Sequence, residues 1–195
     1  MRHADITSVN PRGASEETSG QDNLDYYGVK ASEEMAKTDL ERMKKYYDMI
    51  KEVADEWNVD PYLIAGIISR ESRAGNALVN GWGDNNNAFG LMQVDKRYHT
   101  PKGKWNSRSH LDQATEILVD FIDEIKKMYP KWSGGKQLRG ALAAYNKGPN
   151  SVRKAVYEGR DIDYYTTCQD YSSDVMARAQ WYRSQDVSWW SCVIS

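Results

Sequence analysis

The chain has 195 residues and a mass of 22.3 kDa, with 40% hydrophobic and 28% charged residues, the composition of one folded domain rather than of a disordered segment. A formal net charge of −2 and a pI near 6.0 exclude a strongly basic nucleic-acid binder. No apolar run approaches the roughly 20 residues of a membrane helix. The N-terminus, MRHADITSVNPRGASEETSG, carries no apolar h-region of a signal peptide, which leaves a cytosolic chain, one exported by another route, or a processed form. Cys168 and Cys192 are too few for a disulfide framework, and they have no zinc-site spacing. His3, His99 and His110 are scattered without an HExxH pattern, so neither a metal nor another cofactor is expected.

Residues 1–24 are rich in Ser, Gly, Asn, Thr and acids and read as an irregular arm. A domain over residues 25–185 follows, and 186–195, an apolar DVSWWSCVIS, forms a tail. The first long helix is expected from Thr38 to Trp57, with Thr38 and Glu41 as a capping box. Leu40, Met43, Tyr47, Ile50, Ala54 and Trp57 give it one apolar stripe. The next helix lies in NVDPYLIAGIISRES, with Asp60 as its cap and Pro61 in its first turn, where no N–H is needed. Residues 76–95 are dense in Gly and Asn and end in a short apolar alternation, which predicts turns and a small β-hairpin. A basic loop spans residues 96–108.

Ser109 and Asp112 have the form of a capping box for an amphipathic helix with the stripe Leu111, Ala114, Leu118, Phe121, Ile122, Ile125 and Met128, and Pro130 ends it. The segment GKQLRGALAAYNKGPNSVRKAVYEG predicts two helices broken at Gly148-Pro149. A last helix over 168–184 puts Tyr171, Val175, Ala179 and Tyr182 on one face.

One residue breaks the apolar pattern. Ile68, Ile67 and Ile64 lie three, four and seven positions before Glu71, so this acid extends a core-facing stripe. Removing a carboxylate from water raises its pKa, and a pKa near neutrality suits a general acid. The competing reading is that Glu71 pairs with Arg70 or Arg73. Glycines at 75, 81, 83 and 90 let the following chain turn back, bringing Asp84 and Asp95 toward Glu71 across a cleft. Sets of carboxylates facing each other are the machinery of glycoside hydrolysis. Taken singly, Asp84 is also a normal turn acid, and Asp95 beside Lys96 and Arg97 also fits an exposed ion pair.

The motifs GIISRESRAG, NGWGD, FGLMQVDKR and AYNKG, in this order, resemble those of goose-type lysozymes over roughly Tyr26–Tyr182, nearest in appearance to fish members. The resemblance implies an α+β, mainly α, lysozyme-like fold with a small β-hairpin or sheet beside the cleft. It implies a peptidoglycan hydrolase that cleaves the β-1,4 bond between N-acetylmuramic acid and N-acetylglucosamine with inversion. It gives Glu71 the role of general acid, and Asp84 and Asp95 that of positioning water, the carboxyls standing roughly 6.5–9.5 Å apart. It places Phe89, Met92, Gln93, His99, Tyr145 and Asn146 along the sugar-binding cleft, with core packing as the alternative for Phe89, Met92 and Tyr145, and an exposed loop position for His99.

The same resemblance implies an extracellular antibacterial protein, against a cytoplasmic alternative, with peptidoglycan as partner; a monomer is the default expectation, and composition points to neither nucleic acid nor a membrane. It admits a bacterial proteinaceous inhibitor as a further partner. Bird members carry four cysteines in two disulfides; the matching positions here include Glu16, Tyr27 and Asn58, so core packing has to supply that stability. A lytic transglycosylase shares much of the motif pattern and usually lacks the second acid. A non-catalytic wall-binding protein would keep the cleft without a working acid.

Overall fold

The structure is a computed structural model that describes residues 5–185. The tail at 186–195, with Cys192, and His3 lie outside the described residues. Eight α-helices, α1 Glu16–Gly20, α2 Val29–Met43, α3 Tyr47–Glu56, α4 Pro61–Ser72, α5 Arg108–Met128, α6 Gly134–Lys147, α7 Pro149–Tyr157 and α8 Tyr171–Ser184, surround one core among the described residues. Three two-residue strands, β1 Trp82–Gly83, β2 Ala88–Phe89 and β3 Val94–Asp95, form an antiparallel sheet in sequential order. The fold is therefore mainly helical with a small sheet, as the sequence predicts, with a third strand added to the expected hairpin.

Helix α4 is the centre of the molecule. Asp60 accepts the Tyr62 N–H, Pro61 opens the first turn, and every residue from Pro61 to Ser69 is buried. A helix apolar on all sides must be wrapped by other elements. Helices α8, α3 and α2 do this here. Gly66 permits the closest approach: a Cβ there would stand 2.7 Å from the Val175 carbonyl oxygen and 3.0 Å from the Ala179 Cβ.

Three boundaries differ from expectation. The first long helix is two helices, and it begins at Val29, nine residues before the expected start at Thr38. Thr38 is internal, and its hydroxyl donates to the Glu34 carbonyl, a back-bond inside the helix rather than a cap. The predicted stripe nonetheless faces the core, with Met43, Tyr47, Ile50 and Ala54 buried. Helix α5 is capped by Ser107, whose side chain accepts the His110 N–H, two residues before the expected Ser109.

The expected irregular arm is partly ordered. It holds a 3-10 turn, Ile6–Ser8, and helix α1, capped by Ser15. Polar bonds hold it: Ser173 Oγ accepts the Arg12 and Gly13 N–H groups, Asp170 accepts the Ser15 N–H, and Gln180 donates to the carbonyls of Ile6 and Val9. Apolar periodicity carries no trace of such contacts.

The Gly66 contact yields a stability test. Gly66→Ala should destabilise the fold by about 1–3 kcal/mol, as overpacking of a close helix crossing does. Chemical denaturation of the two proteins measures it.

Candidate active site

The C-terminal end of α4 carries Ser69, Arg70, Glu71 and Ser72, followed by Arg73 as its cap, and its two arginines enter a buried ion cluster. Arg70 pairs with Asp174 at 2.7 Å and Asp170 at 3.0 Å. Arg73 pairs with Asp39 at 2.9 Å and also with Asp22. Arg178, 1% exposed, spans Asp174 at 3.0 Å and the Ser69 hydroxyl at 3.0 Å. Burial works against ionisation of Asp174, but Arg178 and Arg70 outweigh it and hold its carboxyl down to about 2. Both arginines beside Glu71 in sequence are thus committed to aspartates elsewhere.

Glu71 is left with a neutral partner. The Tyr171 hydroxyl donates to its Oε1 at 2.5 Å. The residue keeps partial exposure while protein surrounds its carboxyl. Burial pushes its pKa up to about 7, against the Tyr171 bond and the positive charges of Arg70 and Lys147, while the charge of Asp84 pushes the same way as burial. Burial and the proximity of Glu71 raise the Tyr171 and Tyr145 phenols well above their ordinary value, so both remain protonated donors.

The opposite wall is the sheet and its turns. Asp84, Asn85 and Asn86 are three successive left-handed residues, φ 45°, 53° and 64°. Asp and Asn tolerate this region better than other side chains, which accounts for the composition of GDNNN. In the sheet register Gly83 faces Ala88 and Ala88 faces Asp95, so Asp95 stands in a row of small neighbours. Arg97, two residues on, grips Asp95 with Nε at 2.9 Å from Oδ1 and Nη2 at 2.5 Å from Oδ2, and its N–H donates to Oδ1 at 2.8 Å. The same Nη2 lies 3.7 Å from Asp84 Oδ2. The side-chain hydrogen bonds of Arg97 hold the Asp95 carboxyl below its usual range despite partial desolvation. The ion pair foreseen as the alternative for Asp95 is present, and it lies beside Asp84.

The remaining expected site residues fall into two groups. Met92 is fully buried as a side chain, and both its backbone groups are bound: its N–H donates to His110 Nε2 at 3.0 Å, and its carbonyl accepts the Tyr145 hydroxyl at 2.8 Å. Its side chain therefore does not line the cleft. Phe89 packs on Trp82 with centroids 4.7 Å apart and meets the His110 ring edge-on at 5.9 Å. Gln93, φ 53°, folds back to donate to the Gly90 carbonyl at 2.9 Å. Asn146 accepts the Thr167 N–H at 2.9 Å, which ties α6 to the segment before α8. His99 is exposed, its N–H bonded to the Asp95 carbonyl.

Sequence reading missed Tyr171 as a site residue and treated it as core stripe. It lies 100 positions from Glu71, and no local pattern marks such a pair. It also passed over His110. That ring is buried against Gly90, φ +81°, where a Cβ would come within 2.4 Å of it. Burial lowers its pKa to about 4, so it is a neutral acceptor for Met92. No group of three His, Cys, Asp or Glu residues that could hold a metal ion occurs among the described residues.

A mainly helical domain with a small sheet, and a half-buried acid of raised pKa at the end of its central helix, define the lysozyme-like class. The sequence comparisons narrow the class. The lysozyme g family model matches residues 3–186. Lysozyme g of Casuarius casuarius is 52% identical over 178 residues, covering 91% of this chain and 94% of that protein. Lysozyme g of Cyprinus carpio is 52% identical over 183 residues, covering 94% and 97%, and that of Takifugu rubripes is 50% identical over 190 residues, covering 94% and 98%. The chain belongs to the lysozyme g family and is a glycoside hydrolase with lysozyme activity. Bird and fish relatives stand at similar identity.

The opposed shifts of Glu71 and His110 make stability a readout of the site. The folded pKa of Glu71 is about 7 against an ordinary 4.5, so its contribution is full below pH 4.5 and is lost as pH rises through 7. The folded pKa of His110 is about 4 against 6.5, so its contribution is full above pH 6.5 and is lost as pH falls through 4. Glu71→Gln should therefore melt above the wild type at pH 8, by on the order of 1–3 kcal/mol, and should match it near pH 4. Melting curves across this range measure both ends.

Proposed function

We propose that Glu71 is the general acid of an inverting muramidase, with Asp84 and Asp95 holding the hydrolytic water. The substrate is the β-1,4 bond between N-acetylmuramic acid and N-acetylglucosamine in peptidoglycan. The proton on the Glu71 carboxyl passes to the glycosidic oxygen as the bond from the anomeric carbon breaks. A water on the opposite face of the sugar bonds to that carbon and gives its proton to an aspartate. Solvent then reprotonates Glu71 and deprotonates the aspartate. The observation that carries the reading is Glu71 itself, a carboxyl pushed to about 7 with no arginine bonded to it.

The other site residues have supporting roles in this reading. Tyr171 aims the acid through its hydrogen bond. Tyr145 and His110 fix the Met92 backbone at the floor of the cleft. Phe89, Gln93, His99 and Asn146 border the sugar path. We place the protein outside the cell as a monomer in antibacterial defence, with a bacterial proteinaceous inhibitor as the natural antagonist of its cleft. No helix among the described residues is long and apolar enough to cross a membrane.

Glu71→Gln keeps the shape of the side chain and removes the proton donor. Lysis of a peptidoglycan suspension should fall by about 10²–10⁴-fold, while circular dichroism shows a folded protein. Unchanged lysis would place the acid elsewhere.

The rate profile of the wild type should be bell-shaped. Its alkaline side is set by Glu71 losing its proton near pH 7, and its acid side by protonation of Asp95, which Arg97 holds below the usual carboxylate range. Mass spectrometry of the fragments separates hydrolysis from transglycosylation. Reducing muramic ends support the reading, and anhydromuramic ends would replace it with a lytic transglycosylase. Binding of peptidoglycan with no fragment released would leave a wall-binding protein.

A further inference from the structure

We propose that Arg97 is the positioning residue of the water-holding pair, its guanidinium locking Asp95 and bridging to Asp84 so that the two carboxylates act as one fixed unit. The proposal rests on the reading of Asp84 and Asp95 given above. Two carboxylates that share one water repel each other, and each makes the charged form of the other less favourable. A cation set between them removes that penalty. Arg97 Nη2 meets Asp95 Oδ2 at 2.5 Å and Asp84 Oδ2 at 3.7 Å, so one nitrogen faces both acids.

A surface ion pair usually contributes little, because two long side chains must be ordered in water. This one departs from that pattern in two ways. Its geometry is bidentate, with Nε and Nη2 on the two oxygens of Asp95, the arrangement in which a guanidinium fixes a carboxylate plane. Asp95 is also bound by the Arg97 N–H, so the backbone turn and the side chain grip the same group. The chain turns directly after Asp95, whose carbonyl accepts the Tyr98 and His99 N–H groups, and this turn brings the Arg97 N–H back to the Asp95 carboxylate. Lys96 points away and sits 5.3 Å from the Trp82 ring centroid. The charged groups acting on Asp95 are then Arg97 and, more weakly, His99, with Asp84 as the other partner of the clamp.

The clamp also bears on where the water can sit. Asp95 has its oxygens occupied by Arg97, whereas the side chain of Asp84 is 57% exposed and touches Arg97 only at the longer distance. Asp84 is the carboxylate free to take the proton, and Asp95 orients the water that Asp84 deprotonates. Asp84 is also the acid whose charge reaches Glu71.

The test uses the full chain and three readouts: kcat and KM on soluble peptidoglycan fragments, and the acid limb of the pH–rate profile. Arg97→Ala should lower kcat by about tenfold or more, with KM changed by less than about twofold. It should also move the acid limb upward by about half a pH unit or more, because Asp95 loses its cation. Arg97→Lys keeps the charge without the fork; it should return the acid limb toward the wild type while kcat stays reduced. Wild-type kcat with an unmoved acid limb in Arg97→Ala overturns the proposal. Equal losses in both variants with an unmoved limb and a lowered melting temperature also overturn it, since that is a structural role. Asp84→Asn and Asp95→Asn, measured alongside, separate the two levels. If their double variant keeps full activity, the water-holding reading itself fails. If it loses activity while Arg97→Ala does not, only the clamp falls.

Discussion

The buried ion cluster between α2, α4 and α8 is the constraint on which the site depends. Arg42, Arg70, Arg73 and Arg178 meet Asp22, Asp39, Asp170 and Asp174, four charges of each sign, with Asp39 and Asp174 fully buried. Such a cluster is a weak source of net stability, since removing so many charges from water offsets most of their attraction. Its effect is on placement. It fixes the end of α4 against α8, and it engages the two cations that sequence places beside Glu71. Were either arginine bonded to Glu71, the carboxyl would be held ionised and could not donate a proton at neutral pH. The acid is therefore defined as much by where Arg70 and Arg73 go as by its own burial.

The opposite wall is organised by a different principle. Strands of two residues supply few ladder bonds, so the sheet does not hold itself. Side chains from helices complete it. His110 of α5 and Tyr145 of α6 take the two backbone groups of Met92, and Ser72 of α4 donates to the Leu91 carbonyl at 2.8 Å. The cleft floor is thus suspended from three helices that also carry the acid and its neighbours.

These two principles also mark what the sequence could show. Periodicity exposed the burial of α4, the stripe of α5 and the break at Gly148-Pro149, because each is local and repeats along the chain. The odd position of Glu71 was legible for the same reason: an acid in phase with Ile64, Ile67 and Ile68 contradicts its own segment. The start of α2 at Val29 was not legible, since its first turns carry little apolar signal and Thr38 imitates a cap. The order of the arm was hidden because Ser173, Asp170 and Gln180, all from the far end of the chain, hold it by polar bonds. Tyr171 was visible as a core residue and not as the partner of Glu71, since one side chain serves both purposes. Asp95 offered two readings from sequence, ion pair or site acid; the ion pair with Arg97 is present in the structure, and the role of site acid is part of the proposal.

The electrostatic result is a separation of carboxyls within one cleft. Glu71 lies in a desolvated position and titrates about 7, while the fork of Arg97 holds Asp95 below its usual range. Environments that push like groups apart in this way allow one to stay protonated while another is ionised at the same pH. Hydrolysis with inversion requires that state, because the proton donor and the water-holding group must be ready together on opposite faces of the sugar. The interval in which Glu71 is protonated and Asp95 ionised lies on the acid side of pH 7, and it is bounded above by Glu71 alone. A change that desolvates Glu71 further widens this interval from above, and one that strengthens the hold of Arg97 widens it from below. The two carboxyls can therefore be tuned independently, because different groups set their environments.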